Sequence, residues 1–147
     1  MATLAYRACK ALRGAPAPFA DFRASESSRT AGQILAHLGD LLDWALSMAR
    51  GKQTWQNSPV LTWDAGSKRF FEALEAFDAY LASDEALHAP STKLFQGPIA
   101  DALTHVGQIS MLRRLAGSPV RGENYFMADI VAGRVGEQQS TPAREFD

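Results

Sequence analysis

Apolar residues recur three and four positions apart in three long segments, and this spacing constrains the fold more than any other feature of the sequence. The segments cover residues 29–50, 60–82 and 98–115. Such spacing places apolar side chains along one face of an α-helix, and no segment shows the strict alternation of a half-buried strand. A shorter amphipathic helix is predicted over residues 3–13. The pattern predicts an all-α fold, a four-helix bundle in one domain over residues 1–147.

Residues with capping preferences mark the ends of these helices. Thr30 and Gln33 have the spacing of a capping box at the start of the second helix, with Ser27 and Ser28 as competing caps. Gly51 and Gly117 are suited to end the second and the last helix. Pro98 is suited to the first position of the last helix, where its missing N–H costs nothing.

The remaining segments are predicted to be irregular. Residues 83–95 are expected to form a connecting loop, and residues 119–147 to form a C-terminal arm. Within this arm, residues 124–131 could form a short helix. The polar tail from Glu137 to Asp147 is expected to be extended, packed on the surface or against a partner subunit.

Composition excludes several classes of function. The net charge of −1 gives no electrostatic basis for binding nucleic acid or an anionic membrane. No apolar run has the length of about 20 residues that a membrane span needs, and the N-terminus does not resemble a signal peptide. The single cysteine, Cys9, is typical of a reducing compartment, so we expect a cytoplasmic protein with a packed thiol.

Two of the three histidines, His37 and His105, fall on the inward faces of strong predicted helices. Asp101 precedes His105 by four residues, so both side chains project from one helix face, with Cβ atoms about 5–6 Å apart. Packed helices lie about 8–10 Å apart, so His37 could reach both. Two imidazoles and a carboxylate form a known ligand set for Zn²⁺, Ni²⁺ or Fe²⁺ and leave positions open for water or substrate. The same spacing also fits a hydrogen-bonded polar network without metal, and both interpretations stay open on spacing alone.

Other polar residues have weaker assignments. Asp40 and Gln108 are candidates to hold a ligand imidazole or a bound water, and otherwise to be solvated or capping groups. His88 lies beside Pro90 in a predicted loop without clustered ligands, so we do not assign it to the site. Arg113 and Arg114 are expected to interact with solvent and with the dipole of the last helix.

Two segments resemble the signature segments of the DinB-like (DinB/YfiT) superfamily. They are the stretch TAGQILAHL, which contains His37, and DALTHVGQI, which contains Asp101 and His105, with LRRLAG following. The similarity in helix order and spacing extends from the first helix to about Gly117. It implies a four-helix bundle, commonly a homodimer, that binds a divalent metal ion through one histidine of the second helix and a His-x-x-x-His pair of a later helix.

By position, His37 matches the first ligand of that superfamily and His105 the last. Asp101 stands where the superfamily usually has its middle histidine. A carboxylate can replace an imidazole as a ligand, but it makes the site harder, more anionic and less selective for late transition metals.

The resemblance implies either metal-dependent hydrolysis or a transferase or isomerase reaction that uses a low-molecular-weight thiol such as bacillithiol or mycothiol. A metal ion supports both chemistries, by acidifying water or by holding a thiolate. The sequence has no Gly-rich phosphate loop and no nucleophile elbow. The alternative is a non-catalytic helical dimer that binds a ligand or a protein, with a vestigial metal site. In that case Tyr125–Met127 and the arm after Gly136 would mediate association.

Overall fold

Helices account for most of the chain in the computed structural model, which describes residues 1–146. The helices are α1 (Ala2–Leu12), α2 (Ala31–Ala49), α3 (Trp63–Leu81), α4 (Ser91–Leu94) and α5 (Ala100–Leu115). Two 3-10 turns cover Ala17–Asp21 and Tyr125–Met127, and a π-helical turn covers Phe95–Ile99. A two-residue strand β1 (Gly122–Glu123) pairs antiparallel with β2 (Glu145–Phe146). The predicted all-α class is confirmed.

The four longer helices surround one hydrophobic core. Helix α2 packs against α3 and α5, and α1 packs against α5 and α3. Seven of the largest fully buried apolar side chains come from these four helices: Leu4, Leu38, Leu42, Phe70, Leu74, Phe77 and Ile109. Burying one such side chain contributes about 1.5–3 kcal/mol, so the apolar faces of the helices hold the arrangement together. None of the helices within residues 1–146 is both long and apolar enough to cross a membrane.

Helix α2 begins with the predicted capping box. The Thr30 hydroxyl accepts a hydrogen bond from the Gln33 backbone N–H at 3.2 Å, and the Gln33 side-chain carbonyl accepts one from the Thr30 N–H at 2.8 Å. The helix ends before Gly51, which has a φ of 78°. Only glycine adopts this left-handed conformation without strain, so the sequence sets the length of the helix that carries His37.

Helix α3 is shorter than predicted at its N-terminus. Its N-cap is Thr62, whose hydroxyl accepts a hydrogen bond from the Ala65 N–H. Val60 and Leu61 therefore precede the helix and are about half exposed. The predicted helix began at residue 60 because Val60 and Leu61 continue the apolar pattern, which does not indicate the position of the N-cap.

The prediction of a loop up to Phe95, with Pro98 opening the last helix, is wrong. Helix α4 begins at Ser91 and continues through the π-helical turn Phe95–Ile99 into α5. A proline inside a regular α-helix lacks one N–H donor and its ring crowds the preceding turn. A wider π-helical turn here accommodates the buried Pro98, so helical structure starts seven residues earlier.

The spacing in the last helix predicts an apolar face of Ile99, Leu103, Val106, Ile109 or Ser110, and Leu115. The structure differs from this prediction at the end of α5. Val106 and Ile109 are buried as expected, whereas Leu115 is 57% exposed. At about 100° per residue, position 115 is rotated about 120° from Ile109, while Leu112 returns to the buried side. Leu112 is accordingly buried, and Leu115 faces outward.

The C-terminal arm packs along α1 through a polar cluster. The Glu123 side chain is fully buried and accepts hydrogen bonds from the Tyr6 hydroxyl at 2.7 Å and from Lys10 Nζ at 2.9 Å. Lys10 also pairs with Glu145 at 2.7 Å. The short helix predicted within residues 124–131 is reduced to the 3-10 turn, and the β1–β2 pair was not predicted. Asp147, the last residue of the predicted tail, lies outside the described residues.

Candidate metal centre

Three predicted ligand residues meet where α2 packs against α5. His37 lies on α2, and Asp101 and His105 lie one helical turn apart on α5. One potential ligand atom from each residue lies within 4.8 Å of the other two. Within residues 1–146, this is the one group of three or more such side chains with the spacing of a metal site.

The separations of the three side chains fit a shared ion. His37 Nε2 lies 3.8 Å from Asp101 Oδ2, and His105 Nε2 lies 3.5 Å from Asp101 Oδ1. Two atoms that bind one Zn²⁺ at about 2.0–2.2 Å with tetrahedral geometry lie about 3.3–3.6 Å apart. Small side-chain rotations would therefore bring these groups to ligand distance.

The site is open on one side. The side chains of His37 and His105 are 18% and 12% exposed, whereas Asp101 is 48% exposed. The two imidazole rings meet edge to face, with centroids 4.8 Å apart. Two largely buried imidazoles thus form the floor of the cluster, and the carboxylate forms its solvent-facing edge.

Gln108 orients His105. Its side-chain carbonyl oxygen lies 2.8 Å from His105 Nδ1. Because a carbonyl oxygen accepts hydrogen bonds, this contact requires the proton on Nδ1 and leaves the lone pair on Nε2, the nitrogen nearer to Asp101. Metal-binding histidines usually have such a contact at the second ring nitrogen.

Asp40 has different partners from those expected of a group that supports the site. Its carboxylate accepts hydrogen bonds from Arg69 at 2.8 Å and from the Ser58 backbone N–H at 3.1 Å. Arg69 also donates to the Ala36 carbonyl oxygen at 3.1 Å. Asp40 is buried and connects the loop before α3 to α2. It makes no hydrogen bond to His37.

The surroundings of His37 favour its neutral form. Burial lowers the pKa of His37 most, and the charges of Arg29 and His105 lower it further. The charges of Asp101 and Asp40 oppose this effect, but the net pKa stays below the ordinary value. The neutral imidazole is the form that binds metal ions, so His37 is ready to act as a ligand near neutral pH.

Trp55, in the loop between α2 and α3, covers His37. Its ring centroid lies 5.5 Å from that of His37 and 5.7 Å from that of Trp44. The sequence predicts no role for Trp55, because helical periodicity does not locate loop side chains. An isolated tryptophan among polar loop residues was the available signal.

Two clefts flank the cluster. An apolar cleft of about 460 Å³ opens beside His105 and Gln108, and a more polar cleft of about 380 Å³ opens beside His37 and Asp40. Arg29, from the loop before α2, lines both clefts. No sequence pattern predicted a role for Arg29.

The remaining candidate residues lie outside the cluster. His88 is exposed, and its backbone N–H donates to the Ala49 carbonyl oxygen. Cys9 is buried, as expected for a packed thiol, and burial raises its pKa.

The expectation that Arg113 faces solvent is wrong. Arg113 is buried, and its five N–H groups donate to the carbonyl oxygens of Ala11, Arg13, Gly14 and Ser118 and to the Ser118 hydroxyl. It therefore joins the end of α5 to the end of α1. Packing of α1 on α5 buries the guanidinium, which periodicity within α5 alone does not reveal.

Comparison with known proteins adds no family to this description. No protein-family model matches the chain, and neither curated proteins nor solved structures include a match. The resemblance to the DinB-like superfamily therefore stays a prediction that depends on the two sequence segments.

Proposed function

We propose that this chain is a divalent-metal-dependent enzyme of the DinB-like type, with His37, Asp101 and His105 as the metal ligands. The observation that carries the proposal is the convergence of three ligand atoms from two helices within 4.8 Å. Three protein ligands leave coordination positions for water or substrate, a pattern typical of catalytic sites. Zn²⁺, Ni²⁺ and Fe²⁺ all fit this donor set.

The side chains around the ligands have separate tasks in this proposal. Gln108 holds His105 in the tautomer that binds metal, and Trp55 shields one face of His37 from water. Asp101 contributes negative charge at the exposed edge of the cluster. The two flanking clefts provide room for a small molecule next to these groups.

When bound, a metal ion supplies either a more acidic water for hydrolysis or a stabilised thiolate for a thiol-dependent transfer. The ligand set supports both reactions. The half-exposed carboxylate leaves the site accessible to a low-molecular-weight thiol as well as to water. We keep hydrolase and thiol-dependent transferase as the two forms of the proposal.

The test compares the parent with His105→Ala after reconstitution with Zn²⁺. Hydrolysis is measured with p-nitrophenyl esters, and thiol transfer with a small thiol and 1-chloro-2,4-dinitrobenzene. We expect metal-dependent turnover in at least one assay, reduced about 100-fold or more in His105→Ala. The matched control is His88→Ala, since His88 is an exposed histidine outside the cluster. Equal turnover in the parent and His105→Ala would contradict the assignment.

A second candidate function is supported by the surface of the C-terminal arm. Phe126 is 93% exposed and Met127 is 50% exposed. Adjacent exposed apolar side chains are typical of association surfaces. We therefore retain the alternative of a non-catalytic helical homodimer that binds a ligand or a protein partner. In both cases we place the protein in the cytoplasm, because its single thiol suits a reducing compartment.

A further inference from the structure

The apolar cleft beside His105 has the form of a ligand subsite. Its walls are formed mainly by Ile34 of α2 and by Met111, Leu112 and Leu115 of α5. Met111 and Leu115 are 58% and 57% exposed, so apolar surface faces solvent next to the candidate metal centre. A volume of about 460 Å³ lies within the range of small-molecule sites.

The charge of the cleft is provided by one residue. Among residues 1–146, Arg29 is its one lining side chain with a permanent charge, and none of the lining side chains is acidic. In the described part of the chain, the Arg29 side chain has no ion pair and no hydrogen bond. An exposed guanidinium at the edge of an apolar cleft matches the anionic group of a ligand that is otherwise apolar.

The position of Arg29 relates this charge to the candidate metal centre. Arg29 also lines the cleft beside His37, and its charge acts on that histidine. The apolar walls extend from His105 towards the end of α5. A ligand with its anionic end at Arg29 would therefore place that end near the cluster and its apolar part along Met111 and Leu115.

We propose that the cleft binds the apolar part of a small amphipathic carboxylate, whose anionic group pairs with Arg29 beside the His37–Asp101–His105 cluster. This inference rests on the proposed function and names its substrate class. The reacting bond would lie near the carboxylate end of the substrate, since that end is next to the cluster. Gln108, which lines the same cleft, offers its side-chain N–H groups as further donors to this end.

The test uses octanoate and its neutral counterpart octanamide as probes. Each is titrated into the ¹⁵N-labelled full chain, both metal-free and loaded with Zn²⁺, and amide shifts are followed by NMR. We expect octanoate to shift the amides of Met111 and Leu115 in both forms and to bind about tenfold more tightly than octanamide. Arg29→Gln should remove this preference. Arg23→Gln should keep it, because Arg23 lies in the same loop but outside the cleft. Met111→Glu should weaken the binding of both probes.

The metal-free form separates this inference from the proposed function. In one outcome, octanoate binds only in the presence of Zn²⁺ and binds equally to the parent and Arg29→Gln. This result would show that the carboxylate binds the metal, and it would overturn the proposed binding in the cleft. A cleft covered by a second copy of the chain would give no octanoate shifts at Met111 and Leu115, which would also overturn the inference. Selective octanoate binding in a chain that binds no Zn²⁺ would support the proposed ligand binding in the cleft and contradict the proposed metal-dependent function.

Discussion

At the scale of single residues, the candidate metal centre depends on which histidine nitrogens face the ligand cluster. For His105, the contact between Gln108 and Nδ1 determines that Nε2 faces the cluster. Within residues 1–146, His37 has no comparable hydrogen bond and is held by packing against Trp55 and His105. The two histidines are thus positioned by different means, and removing the Gln108 side chain should affect only one of them.

We therefore predict that Gln108→Ala weakens Zn²⁺ affinity about 10–100-fold, because the His105 ring loses the contact that fixes its tautomer. Competition with a chromophoric chelator measures this affinity. The control is Gln96→Ala, which removes an exposed glutamine side chain outside the cluster that accepts a hydrogen bond from Lys93. Unchanged affinity in Gln108→Ala, with circular dichroism equal to that of the parent, would contradict the assigned role.

At the scale of elements, the C-terminal arm is fixed to α1 by Glu123. Burial alone would raise the pKa of Glu123, but hydrogen bonds from Lys10 and Tyr6 and the charge of Lys10 outweigh it and lower the pKa. A carboxylate with a lowered folded-state pKa stabilises the fold above its unfolded pKa, and this contribution is lost as pH falls through the folded value. The arm should therefore loosen in acid.

We predict that the free energy of unfolding falls as pH decreases below about 4.5, the ordinary carboxyl value. Glu123→Gln should lower stability by about 3 kcal/mol at pH 7, because Lys10 then loses its buried partner, and should reduce the dependence on pH. Urea unfolding at several pH values measures both effects. Glu137→Gln, a change in the same arm outside this cluster, is the control. Equal pH dependence in Glu123→Gln and the parent would contradict this role.

The elements also show how far local sequence signals reach. The start of α2 was predictable because Thr30 and Gln33 stabilise it through contacts three residues apart. The start of the last helical segment was not, because a π-helical turn accommodates Pro98. Capping signals depend on neighbouring residues, whereas accommodation of a proline depends on the packing around the turn.

At the scale of the whole molecule, the cluster was predictable because periodicity places His37 and His105 on the inward faces of two helices that pack together. Asp101 joins them because it lies one helical turn before His105. Contacts between distant segments gave no local signal. Tyr6 and Glu123 are 117 positions apart, and Arg113 reaches carbonyl oxygens about 100 positions away. For the same reason the sequence did not indicate that Trp55 and Arg29, both in loops, lie beside the site.

The central claim is that His37, Asp101 and His105 bind one metal ion, and metal content tests it most directly. Protein purified without a metal-affinity tag would be analysed by inductively coupled plasma mass spectrometry beside His37→Ala and Asp101→Ala. We predict about one Zn, Ni or Fe per chain in the parent and loss of the metal from both variants, with helical content retained. No metal in the parent after reconstitution, or full occupancy in both variants, would contradict the claim.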